Sequence, residues 1–306
     1  MAITKKQFQI LTDIDLVWNF MVEIYDPAWA NGVPAPFFIH AISSTWMTKQ
    51  YTHLDRFWLE DGRVVAFVYH EDPADTVMFS LRPGYEFLAD EMVAYAAAAF
   101  PKGEHGVSFN IFGSQTAILS AAERAGYRKE YEYADLLFDM EHRALAYALP
   151  EGFYFVKPED VDPLKITDLT WKGFGHEETR GPLKDWDRLD VGPEWSAAKS
   201  YQDNLATIVA PPPHSTPEYD LIIANEAGEY VCLSGMYWVP ENHLAYMEPL
   251  CTAPEYRGRG LAAAALTEHY RRFKPLGARL MTGGDNPFYQ KIGYDQEVLW
   301  THWIRE

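Results

Sequence analysis

The chain has 306 residues, of which 48% are hydrophobic and 23% charged, a globular composition with room for one large or two ordinary domains. Its formal net charge of −18 at pH 7 argues against a nucleic acid partner, because Lys and Arg side chains supply that affinity. The first residues lack the apolar core of a signal peptide, and no apolar run is long enough to span a membrane. We therefore expect a soluble, cytoplasmic monomer or homodimer that has no membrane partner.

The chain has only two cysteines, and both lie in apolar runs typical of strands. Cys232 and Cys251 are therefore expected to be buried core residues rather than nucleophiles or a disulfide framework. The ten histidines are scattered, with no spacing typical of a metal site. We expect no bound metal.

In chain order, the first half predicts an extended segment, a helix, three strands, a helix, a strand, a helix and a last strand. The ranges are 8–11, 13–18, 58–60, 63–70, 76–81, 86–99, 107–112, 115–125 and 131–140. A long irregular stretch rich in aromatic residues and helix breakers follows the first helix.

The second half repeats this order of elements. Its ranges are 153–156, 159–171, 219–224, 229–238, 245–252, 261–272, 278–282, a short helix that contains Tyr289, and 298–304. The pairs Gly126-Tyr127 and Gly293-Tyr294 occupy the same place in the two halves. The repeat predicts two tandem α+β domains, residues 1–147 and 148–306, joined where Leu-Pro-Glu-Gly interrupts the pattern.

A strand, a tight glycine loop and a helix start follow one another at residues 245–272. Gly258 and Gly260 allow the backbone to turn, so that N–H groups can face outward at the positive end of the helix dipole. Such a loop binds phosphate, and Arg257 and Arg259 add positive charge. The loop has neither the Gly-Lys-Ser/Thr ending of a P-loop nor a G-x-G-x-x-G dinucleotide fingerprint.

The pattern Arg257-x-x-Gly260-x-Ala262 resembles the acyl-CoA-binding motif of the GNAT superfamily of N-acetyltransferases. Glu248 lies nine residues before Arg257, where many members carry a general base. Residues 286–294 resemble the family's later segment, and Tyr289 falls on its proton-donor position. The resemblance implies two tandem GNAT-like domains, each a central mixed, mostly antiparallel sheet flanked by helices.

The resemblance also implies acetyl-CoA as co-substrate and assigns roles to residues of the second half. The pyrophosphate is expected on N–H groups of residues 259–263, and the pantetheine arm beside residues 250–252. The cofactor-binding residues implied are Leu250, Cys251, Thr252, Arg257, Gly258, Arg259, Gly260, Leu261, Ala262 and Asn286. Glu248 is expected to take a proton from the amine and Tyr289 to protonate the departing thiolate. Each has a structural alternative, an exposed or paired strand acid for Glu248 and a packed aromatic residue for Tyr289.

The first half lacks these features. Its corresponding loop, residues 81–87, has one glycine fewer, a proline that lacks an N–H group, and a carboxylate, Glu86, beside any phosphate. Counting back from the paired Gly-Tyr, Ala122 stands where the second half has Tyr289. The first half is therefore expected to be a scaffold or a wall of the acceptor site.

The acceptor pocket is expected to involve the irregular stretch after the helix 159–171 and the last strand. The candidate residues are Trp171, Phe174, His176, Glu177 and Trp300, with the stretch continuing through Asp185, Trp186 and Asp187. Aromatic side chains interleaved with carboxylates suit a cationic amine, although the same stretch could be a solvated loop. His176 is an alternative base.

We therefore expect an acetyl-CoA-dependent N-acetyltransferase that acts on a small cationic primary amine in a ternary complex. Two alternatives stay open: a tandem acyltransferase similar to mycothiol synthase, and a non-catalytic acyl-CoA-binding protein. The tandem enzymes that take aminoacyl-tRNA as donor fit poorly, because the sequence has no basic face for RNA.

Overall fold

The computed structural model describes residues 2–183 and 195–305. The first half contains β1 (Ile3–Gln7), α1 (Ile14–Ile24), α2 (Ala35–Ser43), β2 (Arg56–Glu60), β3 (Arg63–His70), β4 (Thr76–Leu81), α3 (Ala89–Ala99), β5 (Ser108–Phe112), α4 (Thr116–Arg124) and β6 (Arg128–Asp139). The second half contains β7 (Phe153–Phe155), α5 (Pro163–Gly173), α6 (His176–Arg180), α7 (Ala197–Asn204), β8 (Leu221–Asn225), β9 (Tyr230–Val239), β10 (Leu244–Thr252), α8 (Leu261–Phe273), β11 (Leu280–Thr282), α9 (Pro287–Lys291) and β12 (Gln296–Ile304).

Most predicted strands and helices are present within a few residues of their expected bounds. The first helix is longer than predicted and ends at Ile24, and the stretch after it, predicted to be irregular, contains α2. The start of each half also differs. The first strand is Ile3–Gln7 rather than residues 8–11. The sequence did not reveal it because it is a polar strand at the edge of the sheet, with few apolar residues to mark it. Phe8 follows it into the core. The helix predicted from residue 159 begins at Pro163, since Asp162 caps it by accepting a hydrogen bond from the Leu164 N–H at 2.9 Å.

The strands form one twelve-stranded sheet in the order β1-β2-β3-β4-β5-β12-β6-β11-β10-β9-β8-β7. Most neighbours are antiparallel, and the parallel pairs are β4 with β5 and β10 with β11. The predicted α+β class with a mostly antiparallel sheet is thus confirmed. The predicted domain boundary at residue 147 lies in the connection between β6 and β7 and remains a prediction.

The two halves exchange their last strands, which the sequence did not reveal. β12 lies between β5 and β6, and β6 in turn pairs with β11. Trp300 on β12 therefore lies opposite Phe112 on β5 and Tyr133 on β6. Each half completes the sheet of the other, so residues that are distant in sequence meet at the centre of the molecule.

The helix α2 of the first half contacts β10 of the second half. It is almost wholly buried, with Phe38, Ile39 and Ile42 in the core. The same core includes Tyr237 and Tyr246, on β9 and β10 of the other half. In the described part of the chain, no helix has both the length and the apolar character that crossing a membrane requires.

Candidate functional site

The loop before α8 has the geometry of an anion site. Gly258 and Gly260 have φ values of 74° and 84°, the left-handed region that favours glycine. Gly260 is the N-cap of α8 and has no side chain to satisfy the N–H groups of the first turn, which also have no intrahelical acceptors. The positive end of a thirteen-residue helix therefore presents free donors.

The two arginines of this loop hold its shape. Arg257 donates from Nε to the Thr252 carbonyl at 3.2 Å and from Nη2 to the Gly173 carbonyl at 2.9 Å. Arg259 donates to the Glu255 carbonyl at 3.1 Å and lies over the Tyr256 ring. Both guanidinium groups donate hydrogen bonds to backbone carbonyl oxygens, and their positive charges still make the electrostatic potential at the loop more favourable for an anion.

The strands β10 and β11 separate directly before this loop. Their ladder joins Leu244 to Leu280 and Ala245 to Met281, and the Met247 N–H then donates to the Thr282 hydroxyl at 2.7 Å. β10 bulges relative to β9 between Met247 and Leu250. The edge of β10 that contains the predicted residues Leu250, Cys251 and Thr252 is therefore unpaired on its β11 side.

A cavity of about 490 Å³, the central cavity, opens where the strands separate. From the second half it is lined by Glu248, Leu250, Gly283, Gly284 and Tyr289, among others. From the first half it is lined by Trp29, Phe37, Glu71, Asn110, Tyr133 and Asp135. Because both halves form its wall, residues 148–306 alone do not enclose it.

Glu248 lies at the bulge of β10 and lines both the central cavity and a neighbouring one. Burial, together with the charges of Asp135 and Asp203, raises the pKa of its carboxyl to about 7. The side chain stays 39% accessible, and its Oε1 lies 3.9 Å from Nε2 of His40. A carboxylate that titrates near neutrality and faces a cavity suits a general base.

Tyr289 lies in α9, which Asn286 caps by accepting a hydrogen bond from the Phe288 N–H at 2.9 Å. The predicted residue Asn286 thus orients the helix that contains the predicted proton donor. Tyr289 is 7% exposed, and its hydroxyl has no hydrogen-bond partner among the described residues. Burial and nearby carboxylates raise its pKa, so the hydroxyl stays protonated at neutral pH.

Three further carboxylates line the central cavity, and sequence reasoning missed them. Burial and the charge of Glu248 raise the pKa of Glu71 to about 8. Burial raises the pKa of Asp135 to about 6, although the Trp300 Nε1–H donates to this carboxylate at 2.7 Å. Asp285 lies exposed at the rim. No local motif distinguishes these residues, and only Asp135 lies on an exchanged strand, β6.

The neighbouring cavity, here the side cavity, has a volume of about 430 Å³. Its wall is mainly aromatic and aliphatic, with Trp46, Phe174, Trp195, Ile208 and Pro249. His40 and Asp203 also line it, and the Asp203 carboxylate accepts from the Thr45 N–H at 2.6 Å. Burial lowers the pKa of His40 to about 4, so this imidazole is neutral.

The predicted acceptor residues divide between the cavities and the surrounding structure. Phe174 lines both cavities, His176 the side cavity and Trp300 the central cavity. Trp171 and Glu177 line neither; Trp171 is buried and donates from Nε1 to the Gly181 carbonyl at 2.9 Å. Partial burial lowers the pKa of His176. The predicted continuation at Asp185, Trp186 and Asp187 lies outside the described residues.

The corresponding loop of the first half has its anion site filled by its own side chain. Glu86 accepts a hydrogen bond from the Gly84 N–H at 2.8 Å, and this bond lowers the pKa of its carboxyl. Arg82 points away, with Nε on the Val64 carbonyl and Nη2 on Glu23. A carboxylate therefore occupies the donors that a phosphate would need.

The predicted core cysteines are both buried and unpaired in disulfides. Burial raises the pKa of the Cys232 thiol to about 11, and that of Cys251 is raised as well. Neither thiol is therefore a reactive thiolate at neutral pH.

Comparison with known proteins identifies the family of the second half. Residues 181–294 match the model of the acetyltransferase (GNAT) family. The second half thus carries a GNAT domain, which includes the glycine loop, Glu248 and Tyr289. No curated protein matches the chain.

The similarity to solved structures covers almost the whole chain. A GNAT-family acetyltransferase from Colwellia psychrerythraea has a TM-score of 0.58 at 9% identity and covers 100% of both chains. A GCN5-related N-acetyltransferase from Sphaerobacter thermophilus has a TM-score of 0.55 at 15% identity, covering 98% of this chain and 94% of that one. A tandem GNAT protein from the clavulanic acid biosynthesis pathway has a TM-score of 0.54 at 15% identity, covering 99% and 98%. The protein has a tandem GNAT fold whose second half matches the acetyltransferase family.

Proposed function

We propose that the protein is an acetyl-CoA-dependent N-acetyltransferase whose acceptor is a small cationic primary amine, attacking the thioester directly in a ternary complex. One observation carries the proposal: Glu248 and Tyr289 line the same cavity at the point where β10 and β11 separate. A base and an acid thus face one space next to an anion-binding helix end.

Acetyl-CoA fits the donors that the second half presents. The first turn of α8 and the left-handed glycines form a cradle that no side chain of the loop fills, since a Cβ at Gly258 or Gly260 would meet no atom within 4 Å. The unpaired edge of β10 offers backbone groups to an extended amide-containing arm. Bound there, acetyl-CoA would supply an activated acetyl group.

Glu248 and Tyr289 have complementary protonation states for acetyl transfer. An ammonium must lose a proton before it can attack, and the Glu248 carboxylate, with its pKa of about 7, can accept that proton at neutral pH. The Tyr289 hydroxyl, with its raised pKa, keeps a proton available for a departing thiolate. The C–N bond of the product forms as the C–S bond of the thioester breaks. Glu248 accepts the proton that the amine loses, and Tyr289 supplies the proton that the thiolate gains.

The charge and the lining of the central cavity favour a cationic acceptor. Glu71, Asp135, Asp285 and Glu248 share it with the rings of Phe37 and Trp300. Carboxylates attract ammonium groups, and aromatic faces bind them through cation–π contacts.

A direct test combines acetyl-CoA with polyamines, amino acids, aminoglycosides and aryl amines, and follows free-thiol release and the mass of the product. Turnover should be strongest with cationic amines and weaken with added salt. An anionic best substrate would contradict the acceptor assignment. Absence of both acetyl-CoA binding and thiol release would contradict the enzyme assignment.

A further inference from the structure

The central cavity contains more carboxyl groups than acetyl transfer requires. Glu248 suffices as the base, yet Glu71, Asp135 and Asp285 also line the cavity. None of the described residues that line it is Lys, Arg or His. Like charges enclosed together without a cation are costly, and such arrangements mark functional sites.

Two of these carboxylates, Glu71 and Asp135, come from the first half. Glu71 follows β3, and no hydrogen bond or ion pair joins its side chain to another described residue. Asp135 on β6 has one donor, the indole N–H of Trp300. Both therefore retain oxygen lone pairs that can accept hydrogen bonds from a ligand.

A tyrosine side chain in the cavity wall supports this assignment independently. Tyr246 lines the central cavity, is 5% exposed, and has no hydrogen-bond partner among the described residues. Burial raises its pKa, and the charges of Glu248, Asp135 and Glu71 raise it further. The hydroxyl is therefore free to form a hydrogen bond with a ligand that enters the cavity.

We propose that the acceptor is a small diamine or polyamine: one amino group reacts beside Glu248, and a second ammonium group binds Glu71, Asp135 and the Tyr246 hydroxyl. This inference rests on the proposed function and specifies its substrate class. The cavity of about 490 Å³ lies within the range that small-ligand sites occupy. The rings of Phe37, Tyr133 and Trp300 would contact the methylene chain.

The site also predicts proton release on binding. Glu71, with its pKa of about 8, is mostly protonated at pH 7. A nearby ammonium group lowers the pKa of a carboxyl, so binding of a dication should ionise Glu71 and release protons to the buffer. A monoamine that occupies only the Glu248 end should release fewer.

The experiment compares 1,5-diaminopentane with pentylamine, which has the same five-carbon chain and a hydrogen in place of the second ammonium group. We expect kcat/KM to favour the diamine by about 30-fold or more, the effect of a buried, hydrogen-bonded charge pair. Glu71→Gln and Asp135→Asn should each remove most of this preference, because kcat/KM for the diamine should fall much further than kcat/KM for pentylamine. Asp285→Asn is the matched control, because an exposed rim carboxylate should alter the preference by less than about threefold.

Calorimetry separates this inference from the proposed function. With CoA present, 1,5-diaminopentane should bind more tightly than pentylamine and release more protons, measured in two buffers of different ionisation enthalpy. Equal turnover and equal binding of the two amines would overturn the diamine assignment and leave the acetyltransferase proposal intact. Preferential diamine binding without any acetylation would support the cation site and contradict the proposed reaction.

Discussion

The substitution Glu248→Gln tests the proposed base, since it replaces the carboxylate with a neutral amide of almost the same shape. With the native pKa at about 7, roughly half of the carboxyl groups are ionised at pH 7 and about one tenth at pH 6. The kcat/KM for a good amine acceptor should therefore rise about tenfold per pH unit below pH 6, rise about fivefold between pH 6 and pH 7, and level off above about pH 8. In the variant this limb should disappear, and kcat/KM at pH 8 should fall ~10²–10⁴-fold.

Free-thiol release between pH 5.5 and 9 measures both profiles, and thermal unfolding provides the control. The folded-state pKa of Glu248 lies above the ordinary glutamate value of 4.5, so ionising this group destabilises the fold as pH rises from about 4.5 to 7. The variant should therefore be more stable than the native protein at pH 8 and similar to it below pH 4.5. A variant with native kcat/KM and a native break near pH 7 would refute the assignment, and His176 would become the next candidate.

Three further predictions concern the co-substrate site, the proton donor and the exchanged strands. Gly260→Glu should abolish acetyl-CoA binding, which calorimetry should measure in the native protein as one site per chain. The control is Gly84→Glu in the first half, at a similar φ and also in open space, which should leave binding intact. Equal loss of binding in both variants would contradict the assignment. Tyr289→Phe should keep acetyl-CoA binding but slow transfer by ~10²-fold, the low end for a general acid because a thiolate leaves readily, and unchanged turnover would leave Tyr289 a packing role. Residues 148–306 expressed alone should not unfold cooperatively, since β12 loses both neighbouring strands and β11 loses β6; a stable, active fragment in circular dichroism and thiol assays would contradict this.

The strand exchange gives a physical reason for the first half to stay attached. Its own anion loop is closed by the hydrogen bond from Gly84 to Glu86, so we do not expect it to bind a second acetyl-CoA. It nevertheless contributes Glu71 and Asp135 to the central cavity and supplies the strands on either side of β12. Loss of its own motif is therefore compatible with a continuing role at the acceptor site.

Local sequence patterns were sufficient to predict the class of fold and the co-substrate end of the candidate site. Gly258 and Gly260 mark positions where the loop needs a left-handed backbone. Short apolar runs bounded by turn residues identify β3, β4 and β9, which are buried along almost their whole length. These features depend on neighbours along the chain, so they can be read from one segment at a time. The polar strand β1 was missed because an exposed edge needs little apolar signal.

Only the tertiary structure decided what faces Glu248. Asp135 and Trp300 are 165 residues apart in sequence and form a hydrogen bond because β12 inserts beside β6. Glu71 and His40 approach the same base from a loop and a helix of the other half. Strand pairing depends on complementary surfaces across the whole chain rather than on any one segment, and the raised pKa of Glu248 arises from that non-local burial and charge.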